Sequence, residues 1–245
     1  MSQTFTLKGR SNCLSVDINP PIQLNPKYNY SLALISLTTW NSIPNIEPGR
    51  NKFYFTFDGV LQEIEIPTGS YELSDLEIFL QKQIAYKSNT EGRRRYELNE
   101  LLSLKPNNNT LKCEIKSIYD IDFSPSGSIS SLLGFSKTHL AANKLHESDR
   151  PVDIIQVTTI RLECNIISGT YYVNNPSHTL YEFTPTVDPG YSIIIEPRNL
   201  IYLPVNRTTI DNITINLLDQ DSRPVNFRGE EIVVRLELKK DASSF

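Results

Sequence analysis

The chain is poor in the residues from which most enzyme motifs are built. Its 245 residues include 10 glycines, 3 cysteines, 3 histidines, 1 tryptophan and 1 methionine. The glycines form neither a GxxxxGK phosphate loop nor a GxGxxG turn, so no nucleotide cradle is written into the chain. GxSxG, the elbow of the serine hydrolases, is also absent. Cys13, Cys113 and Cys164 are odd in number and far apart, without a CxxC pair. They read as reduced, mostly buried thiols, not as zinc ligands or a disulfide framework. His139, His146 and His178 stand apart. His146-Glu147 lacks the second histidine of HExxH, and no His-x-His pair exists for a cupin-type metal site. No catalytic residue, metal or cofactor is expected. Lys and Arg number 24 against 28 Asp and Glu, a net charge of -4, so no basic face for nucleic acid is expected. No apolar run approaches the roughly 18 residues of a membrane span. The opening MSQTFTLKGR has no apolar h-region, so no signal peptide is expected and the product is read as intracellular.

What is abundant is alternation with period two. Leu14, Val16 and Ile18 alternate with Ser15 and Asp17; Phe53, Phe55 and Phe57 with Tyr54 and Thr56; Ile232, Val234, Leu236 and Leu238 with Val233, Arg235 and Glu237. Successive strand side chains point to opposite faces, so each run buries one face and wets the other. That is the signature of antiparallel sheets packed face to face. Asp58-Gly59 accepts the positive φ values of a type I′ turn and predicts a hairpin. Pro106 to Asn109 predicts a looser one, and Asp219 to Pro224 a polar break before the last strands. Two runs slip phase. Ile155 and Val157 fall on one parity and Ile160, Leu162 and Cys164 on the other; Ile210 is out of step with Ile213, Ile215 and Leu217. A β-bulge or bend restores the buried face in each.

Helix signals are few. Ser74 and Glu77 predict a capping box for a helix over 75–86, with a Leu73–Ile78 staple and Leu76, Phe79, Leu80 and Ile84 on one face. Ser128 predicts the N-cap of a short turn ending at Gly134. Arg93, Arg94 and Arg95 fall in a polar stretch read as a solvated loop. The expected fold is all-β: a single jelly-roll β-sandwich with one or two short inserted helices. Pro20, Pro21 and Pro26 set residues 1–25 apart as an N-terminal arm or extra strand pair, and residues 26–245 read as one domain. The arm is expected to order only in an assembled particle.

Interaction surface is in good supply. Tyr171, Tyr172, Tyr181, Tyr191 and Tyr202 cluster in the last third, interleaved with asparagine and proline. Tyrosine brings area and a hydroxyl at low entropic cost, so these five are candidate interface residues; the ends of a sandwich core use the same amphipathic ring. The alternative function is a lectin-like module reading sugars through Tyr172, Asn174, Asn175 and His178. A metal-dependent cupin-like enzyme is a third.

Several segments carry a family resemblance: SLTTWNSIPNI (36–46), IPTGSYELSDL (66–76), SLLGF (131–135), HESDRPVDI (146–154), YVNNPSHTLYEF (172–183), IYLPVN (201–206) and VNFRGEEIVVRLELK (225–239). In that order they resemble the minor capsid, or penton, protein of Polinton (Maverick) elements and the related adintoviruses. The resemblance spans about residues 30 to 239. It implies a homopentamer at the five-fold vertices of an icosahedral virion, filling the gap left by a double jelly-roll major capsid protein. No insertion of the size of a receptor-binding head is visible, so host attachment is not expected of this chain.

Overall fold

A computed structural model describes residues 2–88, 97–136 and 139–241. The chain opens with strands β1 (Ser2–Gly9), β2 (Cys13–Gln23) and β3 (Tyr30–Trp40). Next come β4 (Lys52–Phe57), β5 (Val60–Glu65), α1 (Leu73–Lys87), α2 (Leu98–Leu101), β6 (Leu102–Pro106), β7 (Lys112–Ser117), β8 (Ile121–Asp122), α3 (Ser130–Leu133), β9 (His139–Leu140) and β10 (Leu145–Pro151). The last stretch holds β11 (Ile160–Cys164), β12 (Thr170–Tyr172), β13 (Asn175–Ser177), β14 (Thr179–Phe183), β15 (Ser192–Ile195), β16 (Leu203–Pro204), β17 (Thr209–Asp219) and β18 (Ile232–Lys240).

These elements form two compact units, one of residues 1–43 and 157–245, the other of residues 44–156. The first unit has one sheet in the order β1-β18-β3-β15, with β16 also on β3, and a second in the order β14-β11-β17-β2. Its eight principal strands, taken along the chain, therefore run first-last-third-sixth in one sheet and second-seventh-fourth-fifth in the other. That interleaving is a jelly roll: every step along the chain crosses between sheets except the one from the fourth strand to the fifth, and every pairing is antiparallel. Both sheets turn one parity of side chains onto a shared core, with Leu7, Leu32, Leu236, Leu162, Ile213 and Leu217 among its members.

The phase slip at Ile210 is a register shift between β17 and β2. Asn212 lies two positions beyond Ile210, whereas its partner Asp17 lies five before Ile22, so β2 carries three more residues than β17 there. Pro20 and Pro21 sit in that irregular stretch of an edge strand, where a missing N–H costs no ladder bond. The slip near residue 155 has a different origin. Residues 152–159 belong to no strand, and the parity changes where the chain leaves the second unit for the first.

The expected boundary at residue 25 does not coincide with a boundary between the units. Residues 2–9 pair with β18 over eight positions, residues 13–23 pair with β17, and Leu7 and Leu14 are core residues. β1 and β2 thus belong to opposite sheets of the sandwich and do not pair with each other. Residues 44–156, between β3 and β11, fold around their own core, an inserted unit that the sequence reading did not separate from the sandwich. Its period-two strands resemble those of the sandwich, and no proline- or glycine-rich linker flanks them, so composition does not mark the boundary.

Within the second unit, β5-β4-β8-β9 and β10-β7-β6 form two small sheets. Phe53, Phe55, Phe123, Leu76, Leu80 and Ile115 are among its core residues. Asp58 (φ 48°) and Gly59 (φ 76°) make the tight β4–β5 turn, and β6–β7 closes around Asn107. α1 starts two residues earlier than its sequence cap. Glu72 is the N-cap, its N–H donated to the Asp75 carboxylate at 3.2 Å. The Glu77 carboxylate accepts the Leu104 N–H instead, and Ile78 is exposed, so Leu73 buries without a staple partner. Ile129, not Ser128, caps α3; the Ser128 hydroxyl bonds the Phe123 carbonyl and Ser130. Gly134 ends α3 at φ 79°, where a Cβ would stand 2.1 Å from the Arg150 carbonyl oxygen. The four-residue α2 carries no sequence signal. Arg93, Arg94 and Arg95 lie outside the described residues.

Because the two cores share no residue, the sandwich is expected to fold without its insertion. Replacing residues 44–156 by a flexible linker of about ten residues, enough to cross the roughly 10 Å between sheets, should leave a cooperative β-rich melt by circular dichroism. A chain without a thermal transition would refute this.

Candidate functional site

The five tyrosines all lie in the first unit but do not form one cluster. Tyr181 packs against the sandwich core. Tyr202 donates its hydroxyl to Glu237 at 2.7 Å, with the Lys239 ammonium 4.8 Å from its ring centroid. Tyr171 and Tyr191 are 76% and 65% exposed. Tyr172 covers an element that the sequence did not disclose.

That element is Arg161, on the outward parity of β11 between Ile160 and Leu162. In the sequence it reads as a wet-face charge. In the fold it is 1% exposed, because the β12–β13 ribbon returns over it. The guanidinium carbon lies 3.7 Å from the Tyr172 ring centroid. One terminal nitrogen bonds Glu163 at 3.1 Å and the other the Ser222 hydroxyl at 2.8 Å, while the buried Nε finds no acceptor. Tyr172 in turn donates its hydroxyl to the Gln220 carbonyl at 2.7 Å. A desolvated guanidinium is tolerated only where a ring face and hydrogen bonds replace water, so this contact fixes the ribbon on the sheet. At the ribbon tip, Val173 and Asn174 have φ 46° and 64°. Tyr171 and Val173 are both 76% exposed.

A second exposed apolar group lies on the other sheet. Trp40 ends β3 opposite Ser192, and Ile194 stands opposite Thr38, so Trp40 and Ile194 are diagonal neighbours on the outward face. Trp40 is 49% and Ile194 61% exposed. Tyr191 adjoins them through the Asn41 N–H donated to its carbonyl. The alternation of β3 and β15 contained this signal, since both residues fall on the wet parity.

The residues considered for sugar binding do not converge. Tyr172 has its ring against Arg161, Asn174 forms the turn, Asn175 bonds the Val173 carbonyl, and His178 Nδ1 lies 2.6 Å from the Ile167 carbonyl oxygen. His146 Nε2 lies 2.9 Å from the Ala141 carbonyl oxygen and His139 is on β9. Among the described residues no three His, Cys, Asp or Glu side chains gather as a metal ligand set. No helix among them is long and apolar enough to cross a membrane. A shallow hollow lined by Gln3, Ile22, Leu24, Tyr30, Leu238 and Lys240 opens on the sandwich.

No known family model and no curated protein sequence matches the chain. Among solved structures, it is similar to the crystal structure of the selenomethionine-labelled mavirus penton protein. The TM-score is 0.52 at 13% identity, over 98% of this chain and 99% of that one. The two share a fold, the all-β jelly roll.

Two outcomes follow for titratable groups. Burial pushes the Cys113 thiol up to about 12 and the Cys164 thiol up to about 11, whereas Cys13 is exposed. A thiol reagent at neutral pH should modify Cys13 in the native protein and reach the other two only after unfolding; prompt labelling of three thiols would refute this. Asp219 is buried, which raises its pKa, but the N–H groups of Arg223 and Asp221 and the Arg223 guanidinium outweigh burial and hold it below its ordinary 3.8. Its stabilisation is complete above the unfolded value and is lost as pH falls through the folded one. Asp219→Asn should cost about 1–3 kcal/mol at pH 7, and this difference should shrink towards pH 2–3 in urea titrations.

Proposed function

We propose that the chain is a minor capsid protein, the penton of a Polinton- or adintovirus-like particle. Five copies form the vertex of a shell built from a double jelly-roll major capsid protein. The observation that carries this reading is the end-to-end likeness in fold to the mavirus penton protein. The interleaved strand order of the first unit and the family-like segments named above support it. The chain then acts by shape and contact, in the virion and without a cofactor. In a closed ring each subunit offers two different surfaces, and Tyr171 and Tyr191, exposed on opposite sheets, are available for them. Tyr172, Tyr181 and Tyr202 support such surfaces from beneath.

Native mass spectrometry of the purified chain, alone and with its major capsid protein, tests the proposal. A species of five subunit masses is the expected outcome. A chain that stays monomeric in both samples and is excluded from shells would overturn it.

A further inference from the structure

The two outward faces of the sandwich are complementary. On the β1-β18-β3-β15 sheet, Phe5, Leu7, Val234 and Leu236 face the core, so Lys8, Arg235, Glu237 and Lys239 face outward. Lys8 is balanced by Glu231 at 2.9 Å. This leaves Arg235 and Lys239 against Glu237, a net positive face. On the other sheet the charged residues away from the core are Asp17, Asp211, Arg161, Glu163 and Glu182. Arg161 is buried and paired with Glu163. This leaves Asp17, Asp211 and Glu182, a net negative face. Each face also bears an apolar group, Trp40 with Ile194 on the positive one and Tyr171 with Val173, on the ribbon clasped by Arg161, on the negative one.

We infer that the positive face of one copy docks against the negative, ribbon-bearing face of the next. The occupant of each face is thus a second copy of this chain, joined head to tail. Like faces would set cation against cation and carboxylate against carboxylate, which disfavours a two-fold dimer. A four-strand face about 19 Å wide and 27 Å long offers roughly 500 Å² a side, about 1,000 Å² in total, the lower bound for a specific contact. Aromatic anchors amid polar strands are the usual composition of such a contact. The inference rests on the pentamer proposed above and names its two surfaces.

The test uses two full-length variants. Trp40→Ala/Ile194→Asp spoils the positive face, and Tyr171→Ala/Val173→Lys spoils the negative face; all four positions are exposed, and circular dichroism checks the fold. By sedimentation velocity each variant alone should be monomeric under conditions where the parent chain forms rings. An equimolar mixture should give dimers and nothing larger, because one intact contact remains and both free ends are spoiled. If either variant still forms rings, or folded variants fail to combine on mixing, the assignment of faces falls and the pentamer stands. A parent chain that associates neither alone nor with the major capsid protein would overturn both.

Discussion

One requirement governs the sandwich: every strand must keep the same parity of side chains on a core that two sheets share. A slip of one residue would expose an entire row of isoleucines and leucines, each worth about 1.5–3 kcal/mol buried. Net stabilities of domains are only about 5–15 kcal/mol. Irregularities are therefore absorbed locally. β2 loops out around Pro20 and Pro21 to let Ile22 and Val16 both face inward, and β3 carries Ile35 as an extra residue between the partners of Arg235 and Leu236. The outward parity is released from that duty and is where charge, tryptophan and tyrosine collect.

This also explains what could be read in advance. Strand faces, the Asp58-Gly59 turn, the apolar face of α1 and the left-handed Gly134 follow from local rules, and they lie where those rules put them. Parity slips were legible as slips, but not their meaning: the one at Ile210 is a bulge, whereas the one near Ile155 is the return from the inserted unit. Nothing local distinguishes them, because both are one missed beat in an alternating run. Arg161 was illegible for a related reason. Its own segment, IRLEC, places it in water, and only a ribbon ten residues further on, carrying Tyr172, removes it. Burial of a wet-face residue by a non-adjacent segment leaves no trace in periodicity. The same holds for Ser74 and Glu77, whose capping pattern is sound but yields to Glu72 and Asp75 two residues earlier.

The contacts also divide labour among the tyrosines. Those whose hydroxyls are committed to Glu237 and Gln220 hold covering segments in place, and those left open sit where such segments end. Some polar groups of the sandwich are spread along strands and bonded to neighbours on the same sheet. Ser15, Asn212, Thr214 and Asn165, for example, satisfy one another across β2, β17 and the end of β11. A surface of that sort is rigid and pre-satisfied, which suits recognition by outline.

The place of β18 has a consequence for synthesis. It lies between β1 and β3, so β1 has no partner in its sheet until β18 emerges. A polypeptide stopped before Ile232 would carry two open strand edges and an uncovered half-core, features that favour capture and aggregation over release. The seam between β1 and β18 therefore closes late, after every strand that separates them along the chain has been made.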